Sequence, residues 1–366
     1  MAAMAQSSSS PCGGWRFSAE HQRWLLAEAG GASVEPVVLG RPLRLATLNC
    51  LHDLSLADVL QHEVRHESIC QELASLDADI IGLNEVTIPL LERLLREEWI
   101  RSRYTASVAL DDARCGHIST LIGGAFGNLL LSRIRPAYVE YIDQPGDGRQ
   151  AHVMRLHLRG RGGELLCVSV CSTHLTAFPW LMEGRRKVQL AHLTSALTRS
   201  QSSCCSASAH HACVVMGDLN FHREAENASI PDGWAEVPAV VALGATWDFA
   251  RNSMLAHYLP VRNIYNGLGL GASLGWPSPM RLDRVLVHSS EALELSWNST
   301  ATARIFADQP IHERARGRPP LPQAGPELCE AHRSVPWQEY LHPSDHFGIY
   351  VELPVVPLQS AACSES

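Results

Sequence analysis

Six apolar runs in this chain end in, or contain, polar residues whose types could together act on a phosphate. In VVMGDLN, residues 214–220, apolar residues and a glycine lead directly to an acid and an amide two positions apart. A single polar residue at a strand end is most often a turn former or a helix cap. Six such positions in one chain instead indicate a shared site, and they are Asn49 after LRLATL, Glu85 after DIIGLN, His174 after LLCVSVCST, Asp218 with Asn220, Asp283 within MRLDRVLV, and Asp345 with His346 before FGIYVEL.

The carboxylates in this set favour a hard divalent cation. Glu85 and Asp345 offer oxygen ligands, which suit Mg²⁺, an ion that keeps several waters and binds one or two protein carboxylates. We therefore expect Mg²⁺ as the cofactor, with Mn²⁺ as the alternative ion. A bound cation would stabilise the charge that develops when a phosphate is attacked.

The remaining polar residues have roles that fit hydrolysis. Asp218 could accept a proton from water, while the Asn220 amide could orient that water or hold a phosphate oxygen. His174 and His346 could donate hydrogen bonds to the charge that develops on the phosphate, and Asp283 could orient one of the two rings.

Strands and helices that alternate along the chain would position these residues. The short apolar runs at 43–49, 79–86, 164–175 and 212–217 predict buried strands. Leucine and isoleucine at helical spacing predict helices around residues 69–76, at 89–99 and around 190–197. The segment SAEHQRWLLAEAG, residues 18–30, predicts one short helix in an N-terminal extension.

Composition excludes several other classes of protein. The 366 residues carry a net charge of -8, which argues against a protein that holds nucleic acid by general electrostatics. No apolar run approaches the roughly 20 residues of a membrane-spanning helix, and the opening residues lack a basic start and an apolar block. The 11 cysteines are scattered without a C-x-x-C pair, so we expect reduced thiols, a nuclear or cytoplasmic location and no membrane partner.

The motifs in this order resemble those of the endonuclease/exonuclease/phosphatase superfamily. The resemblance spans roughly residues 42–354 and implies an α/β fold of two β-sheets packed as a sandwich, flanked by helices. It implies one catalytic domain at 41–356, between a polar N-terminal extension at 1–40 and a C-terminal tail at 357–366.

Within that superfamily, the details look most like the 5′-tyrosyl-DNA phosphodiesterases. The stretches NEVTIPLLERLL, CSTHLTA, GATWDFARN, MRLDRVLVH and HPSDHFGIYVEL carry this likeness. It implies Mg²⁺-dependent hydrolysis of a 5′-phosphotyrosyl DNA end by a monomer. A deadenylase, an abasic-site endonuclease or an inositol phosphatase remains an alternative, as does a binding module of this fold without turnover.

The resemblance also assigns roles to individual residues. It places Glu85, Asn49 and Asp345 at the metal, and it places Asp218, Asn220, His174, His346 and Asp283 in catalysis. Substrate contacts are expected from Trp247, which could stack on a base, and from His222 and Arg223. Two positions depart from the family pattern: Asn84 replaces a glutamine, and His222 stands where an arginine is usual, with Arg223 one place late.

Overall fold

This computed structural model describes most of the chain between residues 12 and 355. The described residues are 12–30, 34–52, 60–110, 120–121, 124–160, 163, 165–177, 180–201, 210–255, 278–289, 300–311, 336–337 and 340–355. The loops predicted around 200–212 and 311–327 and the tail at 357–366 lie largely or wholly outside these residues.

The elements follow the alternation that the sequence predicts. The strands are β1 (Trp15–Ser18), β2 (Arg23–Leu26), β3 (Val37–Val38), β4 (Leu43–Asn49), β5 (Ile80–Thr87), β6 (Thr105–Ala106), β7 (Thr120–Leu121), β8 (Gly124–Ser132), β9 (Tyr138–Asp143), β10 (Gln150–Arg159), β11 (Leu165–His174), β12 (His210–Asp218), β13 (Ala235–Glu236), β14 (Asp283–Ser289), β15 (Thr302–Phe306) and β16 (Gly348–Leu353). The helices are α1 (His62–Ser75), α2 (Ile88–Arg96), α3 (Glu98–Arg103), α4 (Glu183–Gln201) and α5 (Pro238–Val241), with 3-10 turns at Trp180–Met182 and Glu224–Ser229.

The strands form two mixed sheets. The nine-stranded sheet has the order β15-β16-β4-β5-β8-β6-β1-β2, with β7 paired to β8. The seven-stranded sheet has the order β13-β14-β12-β11-β10-β3, with β9 paired to β10. Inward-facing side chains of both sheets belong to one large apolar core, so the sheets pack face to face.

Strand β12 carries apolar side chains on both of its faces, and each face packs against a different core. Val214 and Met216 belong to the core between the sheets, whereas Cys213 and Val215 belong to a second core beneath α4. Because side chains alternate along a strand, a continuous apolar run can fill both cores at once. Leucines of α4 at positions 190, 193 and 197 close the second core. The predicted α/β sandwich flanked by helices is confirmed.

The predicted helix at residues 18–30 is wrong. Residues 15–26 form the hairpin β1–β2, and Trp15 of β1 pairs with Ala106 of β6. Trp24 is buried and donates from its indole N–H to the Leu95 carbonyl at 3.3 Å. Tertiary contacts of these tryptophans override the local helical pattern. The nine-stranded sheet therefore includes residues that the sequence assigns to an extension.

The helix predicted at 89–99 is divided into α2 and α3. Glu97 lies between them with extended backbone angles, φ -62° and ψ 126°, and its N–H donates to the Leu94 carbonyl. Among the described cysteines, Cys167 is disulfide-bonded, against the prediction of reduced thiols, while five others form no disulfide. In the part of the chain that the structure covers, no helix is long and apolar enough to cross a membrane.

The core beneath α4 gives a direct test of this packing. Leu193→Ala removes a side chain that is 0% exposed, so we expect a loss of about 2–5 kcal/mol in the free energy of unfolding. Val188 lies on the same helix with 56% exposure, and Val188→Ala should change stability by less than about 0.5 kcal/mol. Urea unfolding of both variants measures the difference, and equal losses would contradict the assigned helix face.

Candidate active site

Two pairs of parallel strands, one pair in each sheet, carry the polar residues to one edge of the sandwich. In the nine-stranded sheet, β4 and β5 end together, with Asn49 beside Asn84. In the seven-stranded sheet, β11 and β12 end together, with His174 beside Asp218. Asp283 begins the antiparallel strand β14 directly opposite Asp218. The topology thus converts residues far apart in sequence into neighbours.

Two amide side chains of the nine-stranded sheet hold Asp218 of the other sheet. Asn49 donates from Nδ2 to Asp218 Oδ2 at 3.0 Å and to Glu85 Oε1 at 3.2 Å. Asn84 accepts the Asp218 backbone N–H on its Oδ1 at 2.9 Å. The Asn49 amide oxygen accepts the N–H of Leu51 at 3.0 Å, which fixes which end of the amide faces the carboxylates.

Glu85 is turned into the site by an irregularity in β5. The pairing of β5 with β8 shifts register between Leu83 and Val86, and Glu85 has a φ of 56°. Such bulges redirect a side chain. Its Oε2 accepts the His52 backbone N–H at 2.9 Å and lies 3.7 Å from His52 Nε2, while its Oε1 lies 3.8 Å from His174 Nε2. Burial alone would raise the pKa of Glu85, but the two imidazoles, the His52 N–H and the Asn49 amide hold it below its usual range.

Asp218 lies between two imidazole rings. Its Oδ2 is 3.5 Å from His174 Nε2 and 3.9 Å from His346 Nε2. Its Oδ1 accepts the backbone N–H of Asn220 at 2.8 Å. Burial raises the pKa of Asp218 to about 7, because desolvation and the nearby Asp283 outweigh the opposite effects of His346 and the amides.

The two histidines have opposite electrostatic surroundings. His346 Nδ1 lies 2.8 Å from Asp283 Oδ2. Burial alone would lower the pKa of His346, but Asp283, Asp345 and Asp218 raise it well above the usual value. Burial and the nearby Arg149 lower the pKa of His174 well below the usual value. At neutral pH the site therefore holds one charged and one neutral imidazole.

The segment that carries Asp345 and His346 is anchored on two sides. The Ser344 hydroxyl donates to the Asn49 carbonyl at 2.5 Å, and the Asn252 amide donates to the Ser344 carbonyl at 2.8 Å. Thr246 accepts the Asp283 N–H on its hydroxyl at 3.1 Å. The stretch GATWDFARN thus supports the site through Thr246 and Asn252.

Asn220 and Gly217 owe their positions to unusual backbone angles. Asn220 has a φ of 52° and donates from Nδ2 to the Leu175 carbonyl at 3.1 Å. Gly217 has a φ of 136°, and a Cβ there would lie 2.1 Å from the Thr173 carbonyl oxygen. The glycine before Asp218 is therefore required by the close approach of β11.

Two of the three predicted substrate contacts are engaged elsewhere, Trp247 in an apolar core and Arg223 with Glu183. The Trp247 side chain is 4% exposed and packs among Leu51, Met254 and Leu282, so its ring has no exposed face for a base. The Arg223 side chain is 55% exposed and its guanidinium pairs with Glu183.

His222 lies in a partly buried setting that keeps its ring neutral. Its backbone N–H donates to Glu226 Oε1 at 3.0 Å, and Glu226 pairs with the buried Arg186 at 2.7 Å. Burial, with Arg186 and His346, lowers the pKa of His222 to about 4. The ring is therefore uncharged at neutral pH and cannot replace the charge of an arginine.

Several residues shape the site although the sequence analysis gave them no role in it. Asn84 donates from Nδ2 to Asn128 Oδ1 at 2.7 Å and accepts the Asp218 N–H on its Oδ1. It therefore anchors the site despite its shorter side chain. The His52 ring stacks on Phe126 at 5.0 Å, and Phe126 lies 6.2 Å from the His174 ring. The polar residue His52, three places after Asn49, was a usable signal. Phe126 carried none, because an aromatic within an apolar strand is typical of a core.

The donor set fits a hard divalent cation. Glu85 is an ionised carboxylate, whereas Asn49 uses its amide on protein partners and orients Glu85 and Asp218. Asp345 lies beside Ser344, whose hydroxyl is 3.4 Å from its Oδ1. Within the described ranges, no three His, Cys, Asp or Glu side chains converge as a closed cage, and the stacked His62 and His66 of α1 form no such group either. An ion that binds one or two carboxylates and several waters needs no such cage.

Comparisons with known proteins bear on the family and the fold. A family model described as "Endonuclease/Exonuclease/phosphatase family" matches residues 46–346. Truncated TDP2 from Caenorhabditis elegans is 15% identical, with a TM-score of 0.54, and the match covers 85% of this chain and 96% of that one. Sphingomyelinase C from Streptomyces griseocarneus is 16% identical, with a TM-score of 0.55 and coverage of 86% and 99%. Both likenesses concern the fold, and no curated protein sequence matches.

Gly217 gives a test of how the site is positioned. Gly217→Ala should lower the free energy of unfolding by about 2 kcal/mol or more, because the new Cβ would press on the Thr173 carbonyl at an unfavourable φ. Gly184→Ala is the matched control, since a Cβ at Gly184 has no neighbour within 4 Å and lies in a helix. Thermal melting compares the two, and a Gly217→Ala protein as stable as the control would contradict this account.

Proposed function

Because the chain belongs to the endonuclease/exonuclease/phosphatase family of hydrolases, we propose that it is a Mg²⁺-dependent phosphodiesterase that acts on 5′-phosphotyrosyl DNA ends. The substrate rests on the motif likeness carried by NEVTIPLLERLL, CSTHLTA, GATWDFARN, MRLDRVLVH and HPSDHFGIYVEL. The reaction rests on the site, in which carboxylates, amides and imidazoles from both sheets converge.

The observation that carries the proposal is the setting of Asp218. Its two oxygens are fixed by Asn49 Nδ2 and by the Asn220 N–H, so the carboxylate keeps one orientation. In that orientation it can accept a proton from a water that attacks phosphorus. A group that transfers protons at neutral pH works best with a pKa near 7, and burial raises the pKa of Asp218 to about 7.

The two histidines supply hydrogen bonds to the phosphate. The Nε2 atoms of His174 and His346 lie within 3.5 Å and 3.9 Å of Asp218 Oδ2, so a phosphate beside Asp218 lies within their reach. Asp283 accepts a hydrogen bond from His346 Nδ1–H and raises the pKa of the ring, so the charged imidazole keeps a second proton on Nε2 to donate. Preorganised donors of this kind stabilise the charge that develops in the transition state.

Glu85 is the residue that would hold the cation, with Asp345 as the candidate second carboxylate. The family generally uses a divalent metal, and Mg²⁺ or Mn²⁺ would supply Lewis-acid stabilisation of a phosphate oxygen when bound. Asn49 holds the Glu85 carboxylate beside Asp218, so the metal ligand and the proton acceptor lie on either side of one amide.

Among the described residues, the two proposed strand contacts offer little positive charge to a substrate strand. His222 and Arg223 remain the proposed strand contacts, but the His222 ring is neutral and Arg223 is paired with Glu183. Trp247 is buried and is not proposed as a stacking platform. We therefore expect weaker strand affinity than an arginine at position 222 would provide.

The test is Mg²⁺-dependent release of tyrosine from a short 5′-phosphotyrosyl single-stranded oligonucleotide. We expect turnover by the parent protein and a loss of about 10²–10⁴-fold in kcat for Asp218→Asn, which keeps the side-chain shape but removes the proton acceptor. Asp232→Asn is the matched control because Asp232 is exposed, and it should retain the parent rate.

A substrate panel separates this proposal from its alternatives. The panel contains an abasic duplex, an adenylate-tailed RNA, an inositol phosphate and sphingomyelin, each with Mg²⁺ and with Mn²⁺. Turnover of one of these substrates without tyrosine release would contradict the proposed substrate but would keep the assignment of the chain as a hydrolase. Equal rates for Asp218→Asn and the parent would overturn the role of Asp218.

A further inference from the structure

A small cavity lined by five arginines lies away from the catalytic edge. It has a volume of about 110 Å³, and its lining consists of Arg16, Phe17, residues 101–105, Arg133 and Arg135. These residues come from β1, α3, the start of β6 and the turn after β8. Strand β1 of the N-terminal hairpin thus completes one wall of this cavity.

Several of these guanidinium groups are held in place. Arg101 lies with its Cζ 4.6 Å above the Phe17 ring and donates from Nε to the Leu95 carbonyl at 3.0 Å. Arg133 donates to Asp77 Oδ1 at 2.5 Å, and its Cζ lies 5.9 Å from the Tyr104 ring. Guanidiniums fixed by stacking and backbone contacts lose less freedom when they bind a ligand.

The arginines of this cavity carry more positive charge than the carboxylate beside them neutralises. Asp77 is the carboxylate that contacts lining arginines, and it is shared by Arg133, Arg103 at 4.0 Å, and Arg44 outside the cavity. Among the residues whose contacts the structure defines, Arg16 and Arg135 have no ion pair. A protein with a net charge of -8 thus carries a locally cationic pocket.

The cavity is remote from the catalytic residues. Strand β8 has Phe126 beside His174 near its start, and Ser132 at its end leads directly to Arg133. Phe126 and Ser132 are six positions apart, which corresponds to about 20 Å at ~3.3 Å per residue. A group bound in the cavity therefore does not contact Asp218, and it is not the phosphate under attack.

We propose that this cavity is a second phosphate-binding site, separate from the catalytic site. Arginine forks match the oxygens of a phosphate, which can accept hydrogen bonds from several sides at once. The volume is several times what a single water needs, which suits one phosphate group with the rest of its ligand outside. That phosphate can come from a small phosphorylated molecule or from a nucleic-acid backbone.

Isothermal titration calorimetry of the full chain with pyrophosphate, in EDTA at fixed chloride concentration, tests this site. We expect saturable binding of one pyrophosphate per chain and at least a tenfold weaker Kd for the double variant Arg16→Gln/Arg135→Gln. Both side chains are exposed, so the fold should be retained, which melting verifies. The control Arg159→Gln/Arg199→Gln removes equal charge from exposed positions of β10 and α4 and should bind as the parent does.

A second arm identifies the source of the phosphate. An unmodified single-stranded oligonucleotide that displaces pyrophosphate from the parent, and binds the double variant more weakly, indicates a nucleic-acid backbone. Pyrophosphate binding without that competition indicates a small phosphorylated ligand. Absence of saturable pyrophosphate binding, or equal losses in the double variant and its control, would overturn the site. Because EDTA removes the divalent metal, this outcome does not depend on the proposed catalysis.

Discussion

The hydrogen bonds that join Asp218 of one sheet to Asn49 and Asn84 of the other are the constraint on which the site depends. They require the two sheets to approach closely at the catalytic edge. Gly217 permits that approach, since a Cβ there would lie 2.8 Å from Asn84 Oδ1. Gly82 lies two residues before Asn84 on β5 and has the same role, since a Cβ there would lie 2.8 Å from the Met216 side chain. The sandwich geometry and the chemistry are therefore set by the same contacts.

Burial makes this arrangement costly and also gives it its reactivity. Charged groups removed from water must be paired or hydrogen-bonded to be tolerated. Here Glu85 is satisfied by backbone and amide donors, and Asp283 Oδ2 is paired with His346, whereas Asp283 Oδ1 is buried without a hydrogen-bond partner among the described residues. Asp218 is left with amide donors and two imidazoles at longer distance, which is the setting in which burial raises the pKa of a carboxyl. A residue in that state can exchange a proton near neutral pH.

The sequence predicted the strands that end in the site because each is a short apolar run that ends in a polar residue. It predicted the sandwich through resemblance, and the structure confirms it. It could not predict the hairpin at 15–26, whose strands depend on contacts of Trp15 and Trp24 with distant residues. It placed Trp247 at the substrate, whereas the ring is buried, and it gave no sign of the anchoring by Asn84, which leaves no local pattern. The sequence also did not predict the arginine cavity, because its lining comes from three separate segments.

The most direct test of the central claim is the kcat of Asn49→Ala on a simple diester, bis(4-nitrophenyl) phosphate, with Mg²⁺ or Mn²⁺. This substrate needs no recognition of DNA or tyrosine, so it reports on the cross-sheet site alone. The account predicts turnover by the parent and a loss of about 10–100-fold for a folded Asn49→Ala, because Glu85 and Asp218 lose the amide that orients both. A folded Asn49→Ala with the parent's kcat would contradict it, since the bridge between the sheets would then have no part in catalysis.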